Sequence, residues 1–182
     1  MGASRDGTLA VFVEPVLVLS LTVLALAAGT TDLGALSAAT AGVTPWTRPA
    51  LPLAALAFGL VLIAEMGRQP VDNPDTHLEL TMIHEGPLLE YAGRDLALLQ
   101  WSAAIRHWLV VVLAASTFLP HPADPWVALA VFAPTVVALC AMLAVLETLV
   151  AKMRVLLVPR ALLVAAAIAL LGILSHLATG TA

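Results

Sequence analysis

The sequence predicts an all-α membrane protein of about five transmembrane helices, and three observations support that class. Hydrophobic residues make up 61% of the 182 residues, and the mean hydropathy is +1.00. Charged residues make up 11%, whereas a soluble domain has about 25%. The apolar residues form runs close to the ~20 residues that cross a bilayer as a helix, without the alternation of a membrane β-barrel. We therefore expect residues 1–182 to form a single membrane domain.

The five predicted spans are bounded by residues that start or stop helices. We place them at residues 9–29, 49–66, 95–119, 125–150 and 159–178. Gly29 and Pro120 interrupt the apolar runs, and Pro159 suits the first turn of the last helix. Between the second and third spans lies a polar loop, residues 67–94, in which residues 75–86 have the pattern of a short helix at the membrane surface.

The basic residues indicate the orientation of the chain in the membrane. If the helices alternate in direction, one side of the membrane holds six basic residues, and these are Arg5, Arg68, Arg94, Lys152, Arg154 and Arg160. The opposite side holds only Arg48. Because lysine and arginine are concentrated in cytoplasmic loops, we expect the loop 67–94 and the N-terminus inside and the C-terminus outside.

Three acids lie inside the predicted spans, and these are Glu14, Glu65 and Glu147. With this orientation all three fall in the cytoplasmic part of the bilayer, so three helices could place carboxylates at one level. Buried carboxylates that share a site can bind and release protons near neutral pH, which a solvated glutamate cannot do. The pattern therefore predicts a proton path.

The structural alternative is that these acids only pair with nearby bases. Glu65 could pair with Arg68 in this way. Glu147 could pair with Lys152 or Arg154. Such pairs hold helices together without moving protons, and the residues alone leave both interpretations open.

Arg106 lies midway along the third predicted span. A base at that depth needs a carboxylate partner or a water-filled cavity. An ion pair with an acid on another helix and a role in the proton path are both consistent with its position.

The sequence offers no recognised metal-binding pattern. His77 and His84 could share a helical face with Glu79 nearby, but their spacing is not that of a known site. The chain has one cysteine, Cys140, so it cannot ligate an iron–sulfur cluster or a structural zinc ion by itself. We expect no metal bound by this chain.

The polar stretch carries a motif that resembles a known family. The motif is E-x-x-R-x-P-x-D-x-P, then E-L, then E-Y-x-G, and its residues are Glu65, Arg68, Pro70, Asp72, Pro74, Glu79, Leu80, Glu90, Tyr91 and Gly93. It is similar to the signature of the membrane subunit that joins the two arms of respiratory complex I. The segments DNPDTHLELTMIHE, LEYAGRDLALLQW, EPVLVLSLTVLALAAGTTDLG and ETLVAKMRVLLVP resemble its hydrogenase branch, of the formate hydrogenlyase and hydrogenase-4 type.

The resemblance implies a non-catalytic subunit that anchors and couples a complex-I-like nickel–iron hydrogenase in a bacterial or archaeal cytoplasmic membrane. Its partners would be the hydrogenase large and small subunits and antiporter-like membrane subunits. The nickel–iron centre and the iron–sulfur clusters would belong to partner subunits, and this chain would bind no cofactor and no nucleic acid. A quinone-linked respiratory subunit and a freestanding proton-coupled transporter are the alternatives. The family's subunit has more spans than the five predicted here, so its N-terminal helices are expected to be missing from this chain.

The resemblance also assigns roles to residues. The acidic path would consist of Glu14, Glu65, Asp72, Glu79, Glu90 and Glu147. Arg68 and Arg94 would orient that path. The loop beside the partner's iron–sulfur cluster would present His77, His84, Glu85 and Tyr91 for docking.

Overall fold

The computed structural model describes residues 2–67, 71, 88, 90–119, 121–150 and 157–180. Its α-helices are α1 (Gly2–Ala28), α2 (Leu33–Thr40), α3 (Ala50–Glu65), α4 (Gly93–Thr117), α5 (Pro125–Leu149) and α6 (Val158–Gly180), with a 3₁₀ turn at Thr44–Thr47. Within those ranges α1, α4, α5 and α6 are long and apolar enough to cross a membrane, and α3 is a shorter apolar helix. The predicted class, an all-α membrane protein, is confirmed.

The predicted spans correspond to five of these helices, with two differences. The second predicted span is a helix of only 16 residues, α3, because Gly67 adopts the left-handed conformation, with φ of 59°, that ends a helix. The sequence analysis also missed α2, whose N-cap is Asp32: the carboxylate accepts a hydrogen bond from the Ala35 amide at 2.9 Å. The predicted surface helix at residues 75–86 lies outside the described residues.

α1, α3 and α6 form a closely packed bundle, in which α3 runs antiparallel to the other two helices. The buried cluster at one end draws on all three helices, with Val13, Ala64 and Leu162 among its members. Towards the other end, a Cβ on Gly172 of α6 would lie 3.3 Å from Val23 Cγ2 of α1 and 3.4 Å from the Ala50 carbonyl oxygen of α3. A glycine at this position therefore lets the three helices approach closely.

α4 and α5 form a second unit, the α4–α5 pair, which packs less tightly. Only the second half of α4 contacts α3 closely, and just beyond that half the Phe118 ring stacks on Phe58 with centroids 4.2 Å apart. In the first half of α4, Trp101 and Ile105 are 67% and 47% exposed. α5 packs mainly on α4, and Val136 is its one fully buried residue in the part of the chain described here.

A small hydrogen-bonded cluster ties α2 to the connection between α4 and α5, at the end of the molecule away from Glu65. The Ser37 hydroxyl donates to the Ser116 carbonyl at 2.9 Å and lies 3.3 Å from His121 Nε2. The Gly42 amide donates to the His121 carbonyl at 2.7 Å. These bonds fix the short helix α2 against the long helices, although α2 is too short to cross a membrane.

Candidate functional site

An ion pair between α3 and α4 is the centre of the candidate site. Arg106 Nε lies 3.6 Å from Glu65 Oε2, and the Glu65 side chain is 17% exposed while that of Arg106 is 50% exposed. Glu65 Oε2 is fully shielded and accepts no hydrogen bond from the described residues. A shielded carboxylate oxygen beside a guanidinium can accept a hydrogen bond from a donor that reaches it.

The register of two antiparallel helices brings these side chains together. Glu65 is the last residue of α3, whereas Arg106 lies about 20 Å into α4 at 1.5 Å per residue. Phe58 and Phe118 stack further along the same two segments, and this contact has the same antiparallel direction. The first half of α4 consequently extends past the end of α3, which explains why Trp101 is exposed.

Glu147 lies at the same end of the molecule as Glu65. It is half-buried near the end of α5, and together with Ile63 and Met66 it lines a cavity of about 300 Å³. Because Ile63 and Met66 flank Glu65 in the chain, the cavity brings the Glu147 side chain to the level of the ion pair. Two of the three intramembrane acids therefore lie at one level, although Glu65 itself does not line the cavity.

Glu14 shares this level but not this surface. Its neighbour Val13 is buried in the same cluster as Ala64, the neighbour of Glu65. The Glu14 side chain itself is exposed on the outside of α1. The three acids thus lie at about the same height along the helix axes, but Glu14 faces away from the cavity that Glu147 lines.

The predicted docking loop lies largely outside the described residues. The predicted site residues that lie outside the described ranges, in this loop and between α5 and α6, are Arg68, Asp72, His77, Glu79, His84, Glu85, Lys152 and Arg154. Glu90, Tyr91 and Arg94 are described, and all three are exposed where the chain enters α4. They stand at the entrance of the helix that carries Arg106, on an accessible surface.

Residues able to ligate a metal do not converge in the described ranges, where no three His, Cys, Asp or Glu side chains lie together. Cys140 is exposed and lines the cavity that Glu147 also lines. One thiol and one carboxylate are too few ligands for a structural metal site, which needs about four.

Sequence reasoning identified Glu65 and Arg106 separately but did not pair them. It proposed Arg68 as the partner of Glu65 because the two are close in sequence, and for Arg106 it left the partner open. The signal that could have joined them is the antiparallel register of neighbouring spans. That register depends on α3 ending early, at Gly67, which hydropathy does not show.

Comparison with known proteins gives concordant results. A profile described as NADH dehydrogenase, the family of complex I subunit 1, matches residues 1–177. Hydrogenase-4 component C of Escherichia coli K12 is 42% identical over 121 residues, which is 66% of this chain and 37% of that protein. Formate hydrogenlyase subunit 4 of the same organism is 35% identical over 123 residues, which is 66% of this chain and 38% of that protein. The chain thus matches well under half the length of either relative.

Proposed function

This chain belongs to the NADH dehydrogenase family, and from that premise we propose that it anchors and couples a complex-I-like nickel–iron hydrogenase in the membrane. Two similar curated proteins are a hydrogenase-4 component and a formate hydrogenlyase subunit, which favours the hydrogenase branch over the quinone-linked one. In this role the chain is non-catalytic. Its partners are the hydrogenase large and small subunits, which hold the redox centres, and antiporter-like membrane subunits.

The observation that carries the coupling role is the shielded Glu65 oxygen beside Arg106. An acid and a base at this depth are each expensive in lipid, which supports a functional role for the pair. In this proposal the carboxylates of the proton path at this level are Glu65, beside Arg106, and Glu147, which lines a cavity next to α3. Protons entering at the loop 67–94 would pass this level on their way to the antiporter-like subunits.

The loop 67–94 and the N-terminus lie on the cytoplasmic side in this proposal. The six-to-one distribution of basic residues supports that orientation, and the alternating directions of α1, α3, α4, α5 and α6 are consistent with it. The exposed residues Glu90, Tyr91 and Arg94 would then face the cytoplasm, where a peripheral small subunit docks.

The test is Glu65→Gln in the assembled complex, which keeps the side-chain shape and removes the titratable group. We expect hydrogen-linked proton movement to fall about 100-fold, the lower end of the effect of losing one proton-transfer group, with the complex still assembled. Asp32→Asn is the matched control: it also removes one carboxylate, but at the opposite end, and asparagine still caps α2. The control variant should show the same hydrogen-linked proton movement as the unmodified complex.

The other possible outcomes would each contradict a specific part of the proposal. Full coupling in Glu65→Gln would exclude Glu65 from the proton path, and loss of assembly would assign it a structural role. Quinone reduction by the purified complex without hydrogen chemistry would move the chain to the quinone-linked branch. Proton transport by this chain alone in liposomes would instead identify a freestanding transporter.

A further inference from the structure

We propose that His121 operates a pH-sensitive latch, which holds α2 against the α4–α5 connection more firmly when the imidazole ring is protonated than when it is neutral. The latch consists of the Ser37 hydroxyl, the His121 ring and the backbone carbonyls of Ser116 and Leu119, which form one row of hydrogen-bonding groups. It rests on these contacts and not on the proposed function. In the orientation proposed above, the latch faces the outside, at the end of the molecule away from Glu65.

The number of hydrogen atoms in this row decides which protonation state completes it. The Ser37 hydroxyl has one hydrogen, which it donates to the Ser116 carbonyl at 2.9 Å. His121 Nδ1 lies 3.2 Å from the Leu119 carbonyl oxygen, and because a carbonyl only accepts, Nδ1 must carry a hydrogen. His121 Nε2 lies 3.3 Å from Ser37 Oγ, and since the hydroxyl hydrogen is already used, Nε2 must supply the other one. All three bonds therefore form together only with an imidazolium ring.

A neutral His121 ring has to give up one of these bonds. If the hydrogen stays on Nδ1, Nε2 can only accept, and it competes with the Ser116 carbonyl for the single hydrogen of Ser37. If the hydrogen stays on Nε2, the bond to the Leu119 carbonyl is lost. The backbone bond from the Gly42 amide to the His121 carbonyl, at 2.7 Å, is the same in both states. The latch therefore loses one bond, but not its backbone tie, as the pH rises through the range in which histidine titrates.

The charged groups on the elements around the ring are two acids and one base. Asp32 caps α2 and Asp124 caps α5, and both carboxylates accept hydrogen bonds from amides at the starts of those helices. Arg48 follows the 3₁₀ turn and is exposed. Neither α2 nor the part of α4 after His107 has a titratable side chain. The proton that completes the row is thus the one that His121 itself takes up.

The latch matters for α2 because this helix has only eight residues. Helices of that length are not stable by themselves in water, so contacts with the rest of the molecule keep them folded. Ser37, Ser116 and His121 also line a cavity of about 510 Å³, together with Phe132 and Thr135 of α5. Loss of one bond should let α2 open more often and loosen this side of the cavity.

The experiment is hydrogen exchange of the purified full chain in micelles, followed by mass spectrometry of peptides that cover α2. Exchange is measured at about pH 5.5 and about pH 8, which lie on either side of the ordinary histidine pKa, and corrected for the intrinsic pH dependence of amide exchange. We expect about five-fold greater protection at the lower pH, the size of one net hydrogen bond. The sign follows from the imidazolium, which is present at low pH. His121→Phe and Ser37→Ala should each bring the ratio close to one.

Two variants serve as matched controls. His176→Phe removes an imidazole at the same end of the molecule, on α6, and Ser102→Ala removes a hydroxyl that donates to the Leu99 carbonyl within α4. Both should keep the five-fold ratio, and circular dichroism should show unchanged helix content. A ratio close to one in the parent chain would overturn the proposal, and so would its loss in His176→Phe. A full five-fold ratio in Ser37→Ala, which deletes a single oxygen, would overturn it even if His121→Phe did not fold.

Discussion

The interior of the α1–α3–α6 bundle and its boundary with the α4–α5 pair use glycine in opposite ways. At Gly172 in the bundle, a Cβ would lie 3.3 Å from Val23 Cγ2, so glycine is needed for the helices to meet. At Gly59, on the face of α3 towards α5, a Cβ would meet nothing within 4 Å. The first region is closed by direct helix packing, and the second is open to lipid or to other subunits. Stability should therefore reside mainly in the bundle.

The candidate site lies where these two regions meet. Glu65 belongs to the bundle and Arg106 to the α4–α5 pair, so their ion pair spans the junction. The stacked rings of Phe58 and Phe118 span it a few turns away. A movement of the α4–α5 pair relative to the bundle would change the distance between the two charges and therefore the strength of their attraction.

The largest effect is expected at the tightest contact in the bundle. Gly172→Leu adds four side-chain carbons where the first already lies within 3.4 Å of two neighbouring helices, so the helices must separate. We expect the free energy of unfolding to fall by about 3 kcal/mol, measured by denaturant titration in micelles. Gly7→Leu, placed where a Cβ meets nothing within 4 Å, should change it little. Equal losses in both variants would contradict the division into closed and open regions.

The aromatic stack at the junction should come next. Phe118→Leu removes half of a stacked pair in which both rings are almost fully buried, and we expect a loss of about 2 kcal/mol in unfolding free energy. Phe58→Leu should cost a similar amount. Because each change destroys the same stack, the double variant should lose less than the sum of the two. Strict additivity would show that the stack does not join the regions.

Hydropathy was sufficient to predict the five apolar helices, because each has a long apolar run between residues that break helices. It could not predict α2, because the helix is only eight residues long and the deciding feature is the Asp32 cap. It could not pair Glu65 with Arg106 either, since that pairing depends on where α3 ends and how α4 is aligned with it. Tertiary register is absent from a one-dimensional pattern, whereas segment length and polarity are present in it.

A smaller effect is expected from the ion pair itself. Arg106→Gln leaves the shielded Glu65 oxygen without its cation, but Arg106 is half exposed, so we expect a loss of about 1 kcal/mol rather than the larger cost of a buried pair. Arg106→Lys should lose less. A double-mutant cycle with Glu65→Gln, measured by the same titration, isolates the interaction. A coupling energy near zero would mean that the two charges contribute to stability independently.

The smallest effect is expected on the open face of α5, where two adjacent valines give a direct comparison. Val137 is 67% exposed and Val136 is 5% exposed, although both are valines on the same helix. Val137→Leu adds a methylene that meets lipid or detergent, so the unfolding free energy should change by less than about 0.5 kcal/mol. Val136→Leu adds it inside the core cluster and should cost about 1–3 kcal/mol through overpacking. If both variants lost the same stability, the face of α5 that carries Val137 would be in close contact with another element, and the α4–α5 pair would not be the open region.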